Sequence, residues 1–168
     1  MTVQRQESYR RRPGVALFAL LAAVFALIGL DRAALSATTE RVVVNRYSGL
    51  AIEGFDPVAY FTDARPVRGL PDFEAAEAGT VWRFHNASNR DAFAAHPEIY
   101  GPQFGGYDPI DVARGVAFAG NPRFFVVTGQ RLYLFGREES RNAFAANPAR
   151  FLKDARTRWP RVQQTLAQ

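Results

Sequence analysis

The sequence predicts an α+β fold: two pseudo-symmetric β-hairpin-plus-helix units form one compact domain, preceded by an N-terminal hydrophobic helix. Three observations predict it. The stretch RDAFAAHPEIY at 90–100 returns as RNAFAANPARF at 141–151. Strand-rich composition appears at FFVVTGQRLYLF, 124–135, and more briefly at VWRF, 81–84. A basic N-terminal stretch runs into sixteen uncharged residues, 15–30.

The chain opens with MTVQRQESYRRRPG, which carries four Arg. A basic region followed by an apolar run is the pattern of an export segment. The run lies between the length of a signal core and that of a spanning helix of about 20 residues. Ala34-Leu35-Ser36 offers a weak cleavage pattern. Residues 1–37 thus fit both a cleaved signal peptide and an uncleaved membrane anchor. Either way the Arg cluster stays inside and the folded part is expected in the periplasm or an equivalent extracytoplasmic space. The expected boundaries are a linker at 38–47, a repeat-containing domain at 48–161 and a tail at 162–168.

Composition supports a packed domain: 48% of residues are apolar and 13% aromatic. The net charge of +5 is concentrated in the leader. From Thr38 onward sixteen basic residues face fourteen acidic ones, and the signs are interspersed. No basic face for nucleic acid is expected from this pattern. Cysteine is absent, so packing alone must hold the domain together.

The repeat pairs Phe84 with Phe135, Phe93 with Phe144 and Pro97 with Pro148. Upstream, GFDPV at 54–58 pairs with GYDPI at 106–110, so the units run about 54–100 and 106–151. Asp-Pro is turn chemistry. In the second unit, strands at 124–128 and 131–135 are expected around a Gly129-Gln130 turn with Gly first. In the first, Gly79-Thr80 precedes the strand at 81–84, and 73–76 makes a poorer partner. A short helix follows each hairpin, with Ser88-x-x-Asp91 resembling a capping box and Pro97 just beyond the end. Phe93 and Phe144 are the expected anchors of these helices. A further helix is expected at 150–158, closed by Trp159-Pro160. The link at 100–107 is too rich in Gly and Pro for regular structure, and Gly105-Gly106 suits positive φ.

These residues resemble the YHS-domain family, and most closely its exported bacterial members. The resemblance covers roughly residues 48–161. It rests on GFDPVAYF (54–61), NRDAFAAHPEIY (89–100), the PQFGGY link (102–107), the Leu-Tyr-Leu strand (132–134) and Trp159-Pro160. Metal-binding members carry three Cys at positions that fall here on Ala59, His85 and Asn89, and in the second copy on Asp111, Gly136 and Ser140. Without thiolates the resemblance implies no soft metal site, since one imidazole does not make a tight one.

Asp56 and Asp108 are equivalent by the repeat. Turn capping explains both; the alternative is a carboxylate pair near the axis, sharing a proton or a hard cation. Asp108 with Asp111 fits a solvated loop better than a Ca²⁺ site. His96 is expected at a helix end, and Arg90 and Arg141 on helix surfaces. The aromatics beside the Gly-Gly link fit core packing or a shallow apolar pocket. Candidate ligand-binding residues are therefore Asp56, Tyr60, His85, Phe104, Gly105, Gly106, Tyr107 and Asp108. The sequence contains no nucleophile elbow, phosphate-cradling loop or Glu-x-x-His pair.

The resulting expectation is an exported or membrane-tethered, non-catalytic binding module without a cofactor. Its partner would be a small ligand or a periplasmic protein, with membrane contact through the N-terminal segment if that is uncleaved. The alternatives are a periplasmic copper- or zinc-handling protein by family analogy, and an enzyme using the Asp56/Asp108 pair.

Overall fold

The computed structural model describes residues 41–166. The expected leader, 1–37, with its hydrophobic helix at 15–30, lies outside the described residues, as do 38–40 of the linker and 167–168 of the tail. Helices and two small antiparallel sheets make up an α+β arrangement. Among the described residues, no helix is long and apolar enough to cross a membrane.

Strand β1 (Leu70–Glu77) pairs with β2 (Thr80–Phe84), and β3 (Asn121–Thr128) with β4 (Arg131–Phe135). Ala75 faces Trp82 as Val126 faces Tyr133, each pair 51 positions from its counterpart. Both ladders slip at the same place, after Leu70 and after Asn121. The next residues are Pro71 and Pro122, and proline has no N–H to give a ladder. The turns differ from expectation. Ala78 and Gly79 close the first hairpin with φ of 51° and 77°; Gly129 and Gln130 close the second with 56° and 55°. Positive φ at both central residues matches the twist of the strands, so Gln130 shares the strain with Gly129, and Thr80 already belongs to β2.

Among the described residues six α-helices accompany the hairpins: α1 (Ala59–Thr62), α2 (Ala87–Ala95), α3 (Pro97–Tyr100), α4 (Pro109–Val112), α5 (Glu138–Ala146) and α6 (Pro148–Leu166). Asn86, not Ser88, caps α2, its side chain accepting from the Asn89 amide at 2.8 Å. His96 is the C-cap of α2, as a polar residue at a helix end should be. Helix α6 does not end at Trp159-Pro160 but runs on to Leu166. Pro160 and Arg156, whose carbonyl loses its partner there, are both exposed, so water can serve that carbonyl. The stripe of Leu152, Ala155, Trp159, Val162 and Leu166 follows helical spacing and faces inward. The domain also starts earlier than expected: Val44 bridges Ala51, and Val43 donates to the Gly105 carbonyl at 2.8 Å.

The helices are pinned by aromatics. Phe93 lies 4.9 Å from Trp82 and 5.2 Å from Phe84; Phe144 lies 4.9 Å from Tyr133 and 5.1 Å from Phe135. Strand β4 is buried on both faces. Leu132 and Leu134 join the core cluster of the first copy, while Tyr133 and Phe135 join Phe144. The corresponding face of β2 is open: Val81 is 36% exposed, and Arg83 pairs with Glu74 at 2.7 Å.

Contacts between the copies therefore run one way. Tyr60 meets Phe125 at 4.9 Å and donates its hydroxyl proton to the Pro122 carbonyl at 2.8 Å. The Arg123 guanidinium lies over Phe55. In the second copy the counterparts of Tyr60 and Phe55 are Val112 and Tyr107, and α6 covers them, with Ala155 against Val112 and Trp159 6.0 Å from Tyr107.

The chain passes through positive φ at Phe104, Gly105 and Gly106. A Cβ on Gly105 would stand 1.8 Å from the Arg41 carbonyl oxygen. Gly105→Ala is expected to cost about 3 kcal/mol or more, read from the midpoint of urea unfolding. Gly49, also at positive φ but with nothing within 4 Å of its added Cβ, is the control; Gly49→Ala should cost only about 1–2 kcal/mol.

Candidate ligand-binding site

A buried carboxylate needs donors, and each Asp-Pro turn supplies a carboxylate that finds them. Asp56 is 0% exposed. Its Oδ1 accepts from the Val58 amide at 2.9 Å and the Ala59 amide at 3.3 Å, which fixes its own turn. Its Oδ2 accepts from the His85 amide at 2.9 Å and from Asn89 Nδ2 at 2.7 Å. The turn is thereby stitched to the end of β2 and to α2. Asp108, also 0% exposed, repeats the scheme: Oδ1 accepts from the Ile110 amide at 2.9 Å and Oδ2 from the Gly136 amide at 3.0 Å. The Ser140 side chain also favours its charged form.

The two carboxylates do not form a pair. The donors to Asp56 belong to the first copy and those to Asp108 to the second. Ala59, His85 and Asn89 surround Asp56, and Asp111, Gly136 and Ser140 surround Asp108. Around Asp56 these offer the Ala59 methyl, the Asn89 amide already committed to Asp56, and His85, whose Nδ1 lies 3.5 Å from Asp56 Oδ2. A methyl, an amide and one imidazole do not fit copper(I) or zinc. Among the described residues no group of three or more His, Cys, Asp or Glu converges as a metal site. Tyr60 is held protonated by burial first and by the Asp56 charge second. That keeps its hydroxyl a donor to Pro122.

A concave site opens at the Gly105 link. Its volume is about 370 Å³, and its lining includes Trp82, Phe93, Glu98, Pro102, Gly105 and Trp159. Both tryptophans of the chain face it. Trp82 is only 3% exposed, with its indole N–H donated to the Glu77 carbonyl at 3.1 Å. Trp159 is partly exposed and packs edge-on against Phe104 at 5.8 Å. Trp82, Phe93 and Trp159 supply an aromatic wall, and Arg41, Glu77, Glu98, Gln103 and Gln163 place charged and polar groups around it, a combination that suits a small ligand with an apolar body.

Of the eight candidate residues, Gly105 lines this cleft, and Phe104 and Tyr107 support Trp159. Gly106 is buried. Asp56, Tyr60 and His85 gather instead at the end of the first hairpin, and Asp108 at the second. Sequence reasoning missed Arg41, Trp82, Phe93, Glu98, Pro102 and Trp159 as lining residues. The readable signal was scarcity, two tryptophans in 168 residues; their convergence is tertiary. No family profile, curated protein or solved structure matches the chain.

Burial, its largest influence, pushes the Asp108 carboxyl above its ordinary value; the Gly136 and Ile110 amides oppose this, and the Asp111 charge adds to it. The folded chain then takes up this proton before the unfolded chain does. This group's contribution is fully present below the unfolded value and is lost as pH rises through the folded one. Asp108→Asn abolishes the titration and turns an NH₂ or a single oxygen toward two amide donors. It should destabilise by about 1–3 kcal/mol at neutral pH. The gap from wild type should widen between about pH 7 and pH 4, as measured by urea unfolding across that range.

Proposed function

We propose that this chain is an exported, non-catalytic binding module of the YHS type, with a small, largely apolar ligand taken up in the cleft beside Gly105. The observation that carries the binding role is the convergence of Trp82 and Trp159, from a strand and a distant helix, on one concave site. An aromatic wall bordered by polar groups is what such a ligand requires, with the partly exposed Trp159 offering the larger accessible face. The polar residues that could suggest chemistry are otherwise engaged, since Asp56 and Asp108 hold backbone amides.

The YHS reading is supported by geometry as well as by motif. The positions occupied by Cys in metal-binding relatives come together around Asp56 and again around Asp108. Thiolates there would converge, and their replacement by Ala, His and Asn leaves the scaffold without the grip. In this reading the domain is a duplication whose copies stack head to tail. A closed twofold would make the inter-copy contacts reciprocal; the one-way packing of Phe125 and Pro122 on Tyr60 favours tandem stacking. The charged Glu74–Arg83 face and helix α6 then act as its two caps. Export, with residues 15–30 as signal or anchor, rests on the leader.

Two tryptophans give two indole N–H resonances, which makes the binding role directly testable. Titration with indole, a neutral aromatic probe, should move both resonances saturably, and Trp159→Ala should weaken binding about tenfold or more. Indole that leaves both resonances unmoved would overturn the assignment of this cleft. For export, an alkaline phosphatase fused after Gln168 should be active only when residues 1–37 are present.

A further inference from the structure

The second copy contains a cleft of about 550 Å³ whose chemistry the first copy lacks. Its walls come from Asp111 of α4, Arg137 and Ser140 at the start of α5, and Arg150 and Phe151 of α6, with Arg114 alongside. The duplication provides an internal comparison. The first copy has Ala59, Thr62, Asn86, Asn89, Ile99 and Tyr100 at the corresponding positions, none of them charged. The backbone is the same in kind, with a nine-residue helix at 87–95 in one and 138–146 in the other. The charges are therefore not a requirement of the backbone. At one position they replace a structural role: Asn86 caps its helix, and Arg137 makes no cap bond.

Asp111 organises the cleft. It is 7% exposed, accepts from Arg137 at 2.5 Å and lies 3.5 Å from Arg114. Arg137 also lies over the Phe118 ring, 4.7 Å from its centroid. A planar guanidinium held at one edge by a carboxylate and on one face by an aromatic ring has its remaining N–H groups preoriented. Arg150 makes no salt bridge among the described residues; its guanidinium stands 5.5 Å over Phe151. Phe151 in turn stacks on the core residue Phe144 at 6.4 Å, which gives the cleft a fixed apolar wall. Three guanidiniums face two carboxylates, Asp111 and Glu139, so one positive charge is in excess.

We propose that this cleft binds a small organic anion, a carboxylate or phosphate monoester with an aromatic or aliphatic body. The acid group is taken by Arg150 together with the free N–H groups of Arg137, and the body lies on Phe151. Charge-assisted bonds to guanidinium are among the stronger polar contacts available to such a site.

The test uses residues 38–168, a compact unit that holds all three core clusters. Arginine side-chain resonances are followed during titration with phenyl phosphate, with benzoate and with neutral benzyl alcohol. Saturable shifts at Arg137 and Arg150 with either acid, and none with the alcohol, are expected, and the acid that binds names the ligand class. Arg150→Gln, at an exposed residue without a salt bridge, should leave the melting temperature in place and weaken binding about tenfold. Arg137→Gln should weaken it further. Absence of saturable shifts with both acids, equal shifts with the alcohol, or wild-type binding by Arg150→Gln overturns the proposal. The Arg150 variant decides the matter even where the Arg137 variant does not fold.

Discussion

A carboxylate withdrawn from water holds the backbone groups that replace the water, and this domain uses that constraint twice. Asp56 ties its own turn to the first residue after β2 and to the side chain of Asn89 in α2. Asp108 ties its turn to Gly136, the residue after β4. A two-stranded hairpin alone is marginal in water. Here each one is bound at its far end to a buried turn and on its face to a helix through Phe93 or Phe144. Neighbouring amides offset part of the cost of burying each carboxylate, which leaves the acid group of each turn structurally committed.

The same scheme in both copies makes their differences informative. The outer face of the second hairpin carries Phe125, Val127, Leu132 and Leu134 and packs on the first copy. The outer face of the first carries Glu74 and Arg83 and meets solvent. Where the first copy receives a hairpin, the second receives α6. Both clefts are bordered by that helix or its first turns: Trp159 belongs to one, Arg150 and Phe151 to the other.

Much of the fold was legible because its signals are local. The repeat of Ala-Phe-Ala-Ala and the Asp-Pro turns mark elements whose geometry depends on near neighbours. So does the positive φ at Gly105-Gly106. The errors lie where two local rules compete. Ser88 looks like a cap, but the Asn86 side chain reaches the Asn89 amide first. Pro160 reads as a helix stop, yet the stripe of Ala155, Trp159 and Val162 buries enough apolar surface to carry the helix past it, with the lost bond on the solvent side. Residues 42–44 read as linker because their value lies in pairing with Ala51, Ile52 and Gly105, contacts invisible along the chain.

By itself the chain determined its two hairpins, the helix that follows each, its internal repeat and the turn role of Asp56 and Asp108, because turns, caps and hairpins are set within a few residues. Only the tertiary structure decided which faces meet. It brought Trp82 to Trp159 and Arg137 to Arg150, and it kept Asp56 and Asp108 apart. The physical reason is that a side chain's partners across the domain depend on how whole faces stack, and equal sequence spacing in two copies does not say which copy's face is covered.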